Sequence, residues 1–302
     1  MSIYINKANE NWIVDKFRSE FYQNTTLSTT KFHKKSKQTW IIAPWTWKKL
    51  NKNNLKNQHT VCTVHHIDFS KFDKSADKNF HELDKYVDVY HTISKNSFND
   101  LKKLTNKHIE TIPFWINQNK FFPIADKKRV RKKFNFPKDK YLIGSFQRDT
   151  EGHDLKSPKL SKGPDIFVEY LLVLKKRIPN LHIVLTGKRR QFVIEQLNRI
   201  GVPYSYFEMI NQKSLNELYN TLDLYIVSSR VEGGPQSILE CAITKTPLIS
   251  NNVGIAPEIL SSESIIYENK VLDAKPNIDF AYNNALKLTL PEGMKRFEKL
   301  FE

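Results

Sequence analysis

Two carboxylates, two glycines and a proline stand within one short stretch, SSRVEGGPQSILE, at residues 228–240. Glu232 and Glu240 are separated by seven residues, and Gly233-Gly234-Pro235 follows the first of them. The preceding DLYIVSS has the composition of a buried strand. PQSILECAIT reads as a helix with Pro235 at its first position, where a missing N–H leaves no bond unmade. A strand, tight turn and helix in this order aim free backbone N–H groups and the positive end of a helix dipole at the turn, which suits an anionic or hydroxyl-rich ligand. Gly233 and Gly234 let the backbone approach that ligand without an intervening side chain. Glu240 lies one helical turn after Gln236 and on the same face, so it can point back toward the turn. Glu232 reaches the same place from the loop. On spacing alone an equal alternative stays open: Glu232 as an ordinary acid near a helix start and Glu240 as a surface residue.

A second set of charges lies upstream in IGSFQRDTEGHDLKSPKLSKGPDIF. Here a strand ends near Phe146, Arg148 follows, and Lys162-Gly163 stands just before the next helix. Two cations converging on a strand end and a helix start can bind a diphosphate, the guanidinium in bidentate fashion and the ammonium as a point charge. Two solvated cations is the plainer reading of this segment taken alone. In HTVCTVHH, His65 and His66 stand at the C-terminal end of a β-branched strand. Of the two, His65 is the preferred site residue, with a structural strand-end histidine as the alternative. Arg230 and Gln236 are further candidate contacts.

The elements that must position these residues alternate along the whole chain. Strand-like SIYIN, QTWIIAPW, HTVCTVHH, DVYHTIS and IETIPFWI are interleaved with the helical patterns NWIVDKFRSEFY, KNFHELDKYV and KNSFNDLKKLT, the last capped by Ser94 or Asn96. YLIGSF, LHIVLTG, DLYIVSS and PLISN then alternate with PDIFVEYLLVLKKRI, RQFVIEQLNRI, SLNELYNTL and PQSILECAIT. Such alternation with short connections predicts parallel sheets covered by helices. All nine glycines fall at or after Gly144, so the two halves make their turns by different means, and a boundary is expected in INQNKFFPIADKKRV. Ligands of such sheets bind beyond the C-terminal strand ends. That places His65 and His66, the loop after Phe146 and RVEGGP on the ligand side.

Taken together, DLYIVSSRVEGGPQSILECAITKTPLISNNVGIAPEIL resembles the nucleotide-sugar-binding segment of family 4 retaining glycosyltransferases of the GT-B fold. The matching features are the two glutamates with seven residues between them, the strand Pro247 to Ser250, and the loop Val253-Gly254 with Pro257-Glu258. Arg148, Lys162-Gly163, Pro113 and Phe122-Pro123 also fall where that family has an Arg, a Lys-Gly and its linker prolines. TVHH is similar to the family's Thr-Val-His strand end. The resemblance implies an α/β GT-B architecture: two Rossmann-like domains with parallel sheets facing each other across a cleft. Residues 1–117 would form a short acceptor-side domain and 118–274 the nucleotide-sugar domain. Residues 275–302 would be a helical segment crossing back to the first domain. It further implies that Arg148 and Lys162 hold the diphosphate, with Gly163 and Pro235 shaping its cradle. Glu240 would bind the ribose, Glu232 with Gly233 and Gly234 the donor sugar, and His65 would approach the reacting sugar. No cofactor and no metal are expected beyond the nucleotide-diphosphate sugar itself, and the chain contains no Asp-x-Asp. The first domain lacks the Gly-rich loop of many relatives, PFWIN stands where relatives often have Asn-Gly, and residues 149–161 form a longer loop than usual. These departures bear on the acceptor, for which a glycan or lipid-linked molecule is expected.

Composition narrows the classes further. The net charge is +16 over 302 residues, which favours phosphate-bearing partners. The densest run, KKRVRKK (Lys127–Lys133), reads as a solvated helix face or as a patch for an anionic membrane surface. No nucleic-acid-binding signature is present. No leader pattern follows Met1, and no apolar run approaches the roughly 20 residues of a membrane span. Cys62 and Cys241 are too isolated for a disulfide framework or zinc site and are expected as buried thiols in a reducing cytoplasm. The sequence therefore points to a cytoplasmic, peripherally membrane-associated glycosyltransferase of polysaccharide or glycoconjugate synthesis. A sugar-nucleotide epimerase or hydrolase, or a non-catalytic sugar- or nucleic-acid-binding protein on the same scaffold, is the alternative.

Overall fold

The computed structural model describes residues 2–10 and 13–302, so Met1, Asn11 and Trp12, the last two at the head of an expected helix, lie outside the described residues. The chain forms two compact units, Met1–Trp115 with Leu288–Glu302, and Ile116–Lys287.

In the first unit, β1 (Ile3–Ile5), β2 (Gln38–Ile41), β3 (His59–Val64), β4 (Val89–Thr92) and β5 (His108–Thr111) form a five-stranded sheet in that order, with every pairing parallel. Helices α1 (Ile13–Asn24), α2 (Lys52–Lys56), α3 (Lys74–Asp84) and α4 (Lys95–Leu101) connect them. Lacking glycine, this half uses short polar side chains to start its helices: Asn51, Asp73 and Ser94 each accept a backbone N–H from the first turn of α2, α3 and α4. Asn9 takes a left-handed φ of 58° where glycine is the common choice.

In the second unit, β6 (Tyr141–Ser145), β7 (Leu181–Thr186), β8 (Tyr204–Phe207), β9 (Leu224–Val227), β10 (Leu248–Asn251) and β11 (Ile265–Ile266) form a parallel sheet in the order β11-β10-β9-β6-β7-β8. Its helices are α5 (Lys127–Lys133), α6 (Pro164–Lys175), α7 (Gln191–Ile200), α8 (Gln212–Thr221), α9 (Gln236–Ile243), α10 (Ala256–Ile259) and α11 (Ile278–Leu286). All six residues of β7 are buried, as a strand covered on both faces requires. The chain runs outward from β6 through β7 to β8, then returns to the other side of β6 for β9, β10 and β11. The strand order therefore reverses between β6 and β9, and in open α/β sheets a crevice for ligands opens at such a point.

The expected boundary at residue 275 falls instead at Leu288. Helix α11 packs against α9 and buries Ala281 and Ala285, which fixes it in the second unit. Only residues 288–302, with α12 (Glu292–Glu298), join the first unit. There Met294, Phe297 and Phe301 enter a core with Phe17, Phe21, Trp40, Phe114 and Trp115. Phe297 stacks on Phe114 with ring centres 5.1 Å apart. Glu298, 5% exposed, accepts bonds from the Thr25 hydroxyl and the Thr26 N–H, both at 2.6 Å, which satisfies a carboxylate inside the fold.

Both cysteines are buried free thiols. Trp47 is buried in the core, whereas Trp45 is 52% exposed and donates to Glu10. Within α5, Arg131 donates to the Thr221 carbonyl and Asp223, and Lys133 pairs with Glu217. Lys127, Lys128, Arg129 and Lys132 remain exposed. Among the described residues no helix is long and apolar enough to cross a membrane.

Candidate active site

The candidate residues of the second unit gather where β6 and β9 end. Beyond β6 the chain passes through Phe146, Gln147 and Arg148. Beyond β9 it passes through Ser228 to Gly234 and enters α9. Lys162 and Glu232, 70 residues apart, form an ion pair there, with side chains 22% and 11% exposed. The Ser229 hydroxyl lies 3.3 Å from the same Glu232 oxygen and 3.1 Å from Gln147 Oε1. Gln147 Nε2 in turn donates to the Lys162 carbonyl at 2.8 Å. Gln147 and Ser229 thus tie the two loops together. Neither stands out in the sequence, because an amide and a hydroxyl declare no chemistry until their partners are known.

The loops are also stitched through their backbones. The Arg230 and Val231 N–H groups both donate to the Ser161 carbonyl at 2.9 and 3.0 Å. Ser228 Oγ donates to the Gly163 carbonyl at 2.8 Å. Asn251, at the end of β10, donates to the carbonyls of Ser228 and Ser229, and Tyr170 of α6 donates to Asn251. Arg230, a candidate ligand contact from sequence, forms a bidentate pair with Asp165 at 2.6 and 2.7 Å and holds the loop to the first turn of α6.

Gly163 is required by packing. Its φ is +58°, and a Cβ there would lie inside the contact radius of the Ser228 carbonyl oxygen. Gly254 meets a parallel constraint, with φ +51° and its face against the carbonyls of Glu232 and Gly233. Gly233 and Gly234, by contrast, do not adopt positive φ. Gly163→Ala is therefore expected to destabilise the protein by about 3 kcal/mol or more, combining left-handed strain with overpacking against backbone. Urea unfolding of the variant checks this, and a loss below about 1 kcal/mol would show that the two loops can separate freely.

Helix starts differ across this unit. Asp126, Asn211 and Asn277 cap α5, α8 and α11 through their side chains. The starts of α6, at Lys162-Gly163, and of α9, at Gly234-Pro235, carry no side-chain cap, and neither do those of α7 and α10. Pro235 occupies the position before α9, one residue earlier than expected, and Gln236 begins the helix. Gln236 Oε1 is buried beside this start and has no hydrogen-bond partner among the described residues.

Glu240 is buried at 6% exposure, so the surface alternative fails. Its Oε2 accepts from the Tyr219 hydroxyl at 2.8 Å. Burial and the neighbouring Glu240 push the Tyr219 phenol well above its usual range, which keeps it a donor. Arg148 is exposed and donates Nε to the Thr150 carbonyl at 2.9 Å. Next to it, Asp149 pairs with the fully buried Arg190 at 2.9 Å, and Arg190 also bonds the Ser145 carbonyl at the end of β6. This pair anchors the root of the long loop.

His65 belongs to the first unit. Its Nε2 lies 2.8 Å from the Ile42 carbonyl, which only accepts, so this nitrogen carries the proton and Nδ1 keeps its lone pair. The ring stacks on Phe114, and burial, with a smaller repulsion from His66, pushes its pKa down to about 4. The neighbouring His66 is exposed. Among the described residues no cluster of three or more His, Cys, Asp or Glu side chains could hold a metal ion.

The family model for glycosyl transferases group 1 matches residues 126–289. The chain belongs to this family. The matched span opens just before α5 and takes in every site residue of the second unit. Over 160 residues this glycosyl transferase is 26% identical to the mannosylfructose-phosphate synthase of Agrobacterium fabrum, a match covering 48% of this chain and 33% of that protein. The chain thus spans about a third of the length of that curated relative. Among solved structures, HepE of Anabaena, in complex with UDP and glucose, is similar at a TM-score of 0.75 and 11% identity, covering 99% of this chain and 98% of that one. Sucrose-phosphate synthase from Thermosynechococcus elongatus aligns at a TM-score of 0.70 and 15% identity, covering 95% of this chain and 77% of that one. These likenesses, with the two parallel sheets, establish the α/β GT-B fold.

Proposed function

We propose that the protein is a retaining, metal-independent glycosyltransferase that moves a sugar from a nucleotide-diphosphate donor to a glycan or lipid-linked acceptor. The observation that carries this reading is the Lys162–Glu232 pair at the point where the strand order of the second sheet reverses. An ammonium has three N–H donors. One reaches Glu232, and the others are available to phosphate oxygens. Arg148 adds a guanidinium from the end of β6, and the uncapped starts of α6 and α9 add backbone N–H groups.

Transfer breaks the bond between the anomeric carbon and the diphosphate oxygen, and the electron pair leaves with the oxygen. Fixed cations and helix dipoles stabilise that developing charge without reorganisation, the role a metal ion fills elsewhere. Glu232, held by Lys162 and Ser229, is placed to accept bonds from sugar hydroxyls beside the leaving group. Glu240, oriented by Tyr219, serves as the acceptor for the ribose hydroxyls. His65, neutral with an open Nδ1, is the residue of the first unit that this reading assigns to the reacting sugar. The UDP and glucose held by HepE, which has the same fold, support a nucleotide-sugar donor. The exposed Lys127, Lys128, Arg129 and Lys132 of α5 offer the peripheral contact with an anionic membrane surface on the cytoplasmic side.

A thermal-shift screen against uridine, guanosine and adenosine diphosphates and their sugar conjugates is expected to show a raised melting temperature for one base. With that donor, proton NMR of the product should show the donor's anomeric configuration, and turnover should persist in EDTA. Inversion, loss of turnover with EDTA, or release of epimerised or free sugar regardless of acceptor would each refute the corresponding part of the reading.

A further inference from the structure

The long loop at residues 149–161 is a small hairpin. Thr150 and Pro158 form an antiparallel bridge. The Glu151 N–H donates to the Ser157 carbonyl at 3.0 Å, and the Lys159 N–H to the Asp149 carbonyl at 2.8 Å. The excursion returns the chain to its root, so Lys159 stands beside the residue that follows Arg148. One short turn later, bonded N–H to carbonyl at 2.8 Å, comes Lys162. The hairpin therefore inserts a third cation between the two expected from sequence.

Lys159 is half-buried, and among the described residues no hydrogen bond or ion pair engages its ammonium. Arg148 and Lys162 both act on it as like charges, and burial with these neighbours holds its pKa below the usual lysine range. Arg189, which repels Arg148, donates to the Gly152 carbonyl and so adds a further cation at the tip side of the hairpin. Nearby carboxylates only partly offset this charge: Glu232 already serves Lys162, and Glu151 acts on Lys159 more weakly than either cation. A half-buried cation surrounded by like charge and without an acceptor is an unfavourable arrangement unless an anion completes it.

We propose that Lys159 is a third phosphate-binding cation of the donor site, delivered by the hairpin, and that it acts on the diphosphate as a unit. The inference rests on the glycosyl-transfer reading above. It goes beyond it in assigning a ligand contact to the loop by which this chain departs from its family. Because the leaving diphosphate gains a full negative charge when the glycosidic bond breaks, the contact strengthens along the reaction.

Titration calorimetry with uridine, guanosine and adenosine diphosphates and the matching monophosphates tests this in the wild type, Lys159→Met, Lys159→Arg and Lys162→Met. For the preferred base, Lys159→Met should weaken diphosphate binding by about tenfold or more and monophosphate binding by less than about threefold, the loss expected for one charge-assisted contact. Lys159→Arg should bind diphosphate within about threefold of the wild type. The melting temperature of unliganded Lys159→Met should be unchanged or raised, since a like charge has been removed from a cluster. A fall in melting temperature accompanying the lost affinity would make Lys159 a structural residue and overturn the proposal. Diphosphate binding unchanged in Lys159→Met but lost in Lys162→Met would overturn this proposal and leave the glycosyl-transfer reading standing. A wild type that binds none of these nucleotides would overturn both.

Discussion

Lys162→Met is expected to lower kcat/KM for the nucleotide-sugar donor by about 100- to 1,000-fold, the usual effect of removing one preorganised group aimed at developing transition-state charge. The same change removes the partner of Glu232, whose side chain is only 11% exposed. Stability should fall as well, by as much as about 3 kcal/mol, because an unpaired carboxylate is left in a poorly solvated place. The two effects separate in the double variant Lys162→Met/Glu232→Gln. Removing both charges should restore most of the stability, with the neutral amide at position 232 still accepting the Ser229 hydroxyl, while turnover stays low. Steady-state kinetics paired with urea unfolding of Lys162→Met, Glu232→Gln and the double variant reads both quantities. Recovery of turnover in the double variant would place the cation's role in holding Glu232 and would remove it from the diphosphate.

The first unit should lose stability as the solution is acidified from neutrality. Two of its histidines are held neutral. His65 donates to the Ile42 carbonyl and its pKa is lowered to about 4, while His91 is fully buried and lowered to about 3. Around His91 the bonds run in one direction: Trp40 donates to the Thr63 hydroxyl, that hydroxyl donates to Nδ1, and Nε2 donates to the Ile112 carbonyl. A proton on Nδ1 would force the Thr63 hydroxyl to turn and accept, so that its own proton loses this buried partner. Unfolded histidine titrates near 6.5, so between that value and the folded pKa the unfolded chain binds more protons. The stabilisation is therefore complete above about pH 6.5 and is lost as pH falls. At about pH 5 each ring should cost about 2 kcal/mol relative to neutral pH. All five tryptophans precede the sequence stretch of the second unit, Ile116–Lys287, so their fluorescence in urea does not report on that unit. In His91→Gln the difference between neutral and acid midpoints should shrink by about half, and an unchanged difference would remove His91 from the account.

Much of this arrangement is legible in the sequence, for reasons that can be named. Buried parallel strands such as LHIVLTG and DLYIVSS are continuous apolar runs, and α6, α7 and α9 carry proline or glycine at an end. Glu232, Lys162 and Glu240 are singled out by occurring together, in order, beside the glycine turns of the strand-helix alternation; the spacing of each alone leaves its plainer reading open. The edge strand β8 is not recognised, since YSYF is half-buried throughout and shows neither a run nor an alternation. Gln147 and Ser229 are invisible for a different reason: their importance lies in partners 82 residues apart, and local spacing carries no trace of that. Gly163 is legible as a site glycine, but its cause is not, because the atom that forbids a side chain belongs to Ser228 on another loop. Arg230 shows the converse: the cation next to the site is also bonded to Asp165 and ties its loop to α6, a framework role that local spacing does not announce.

The return of residues 288–302 to the first unit bears on the order in which the chain can fold during its own synthesis. The second unit is one uninterrupted stretch and can close its core as soon as it has emerged from the ribosome. The first unit is built earlier but stays incomplete, because Met294, Phe297 and Phe301 must still fill the space between Trp40, Phe114 and Trp115. The half made first is thus finished last. Until then, an apolar sheet face rich in aromatic rings stands open in the growing chain, the kind of surface by which incomplete chains associate.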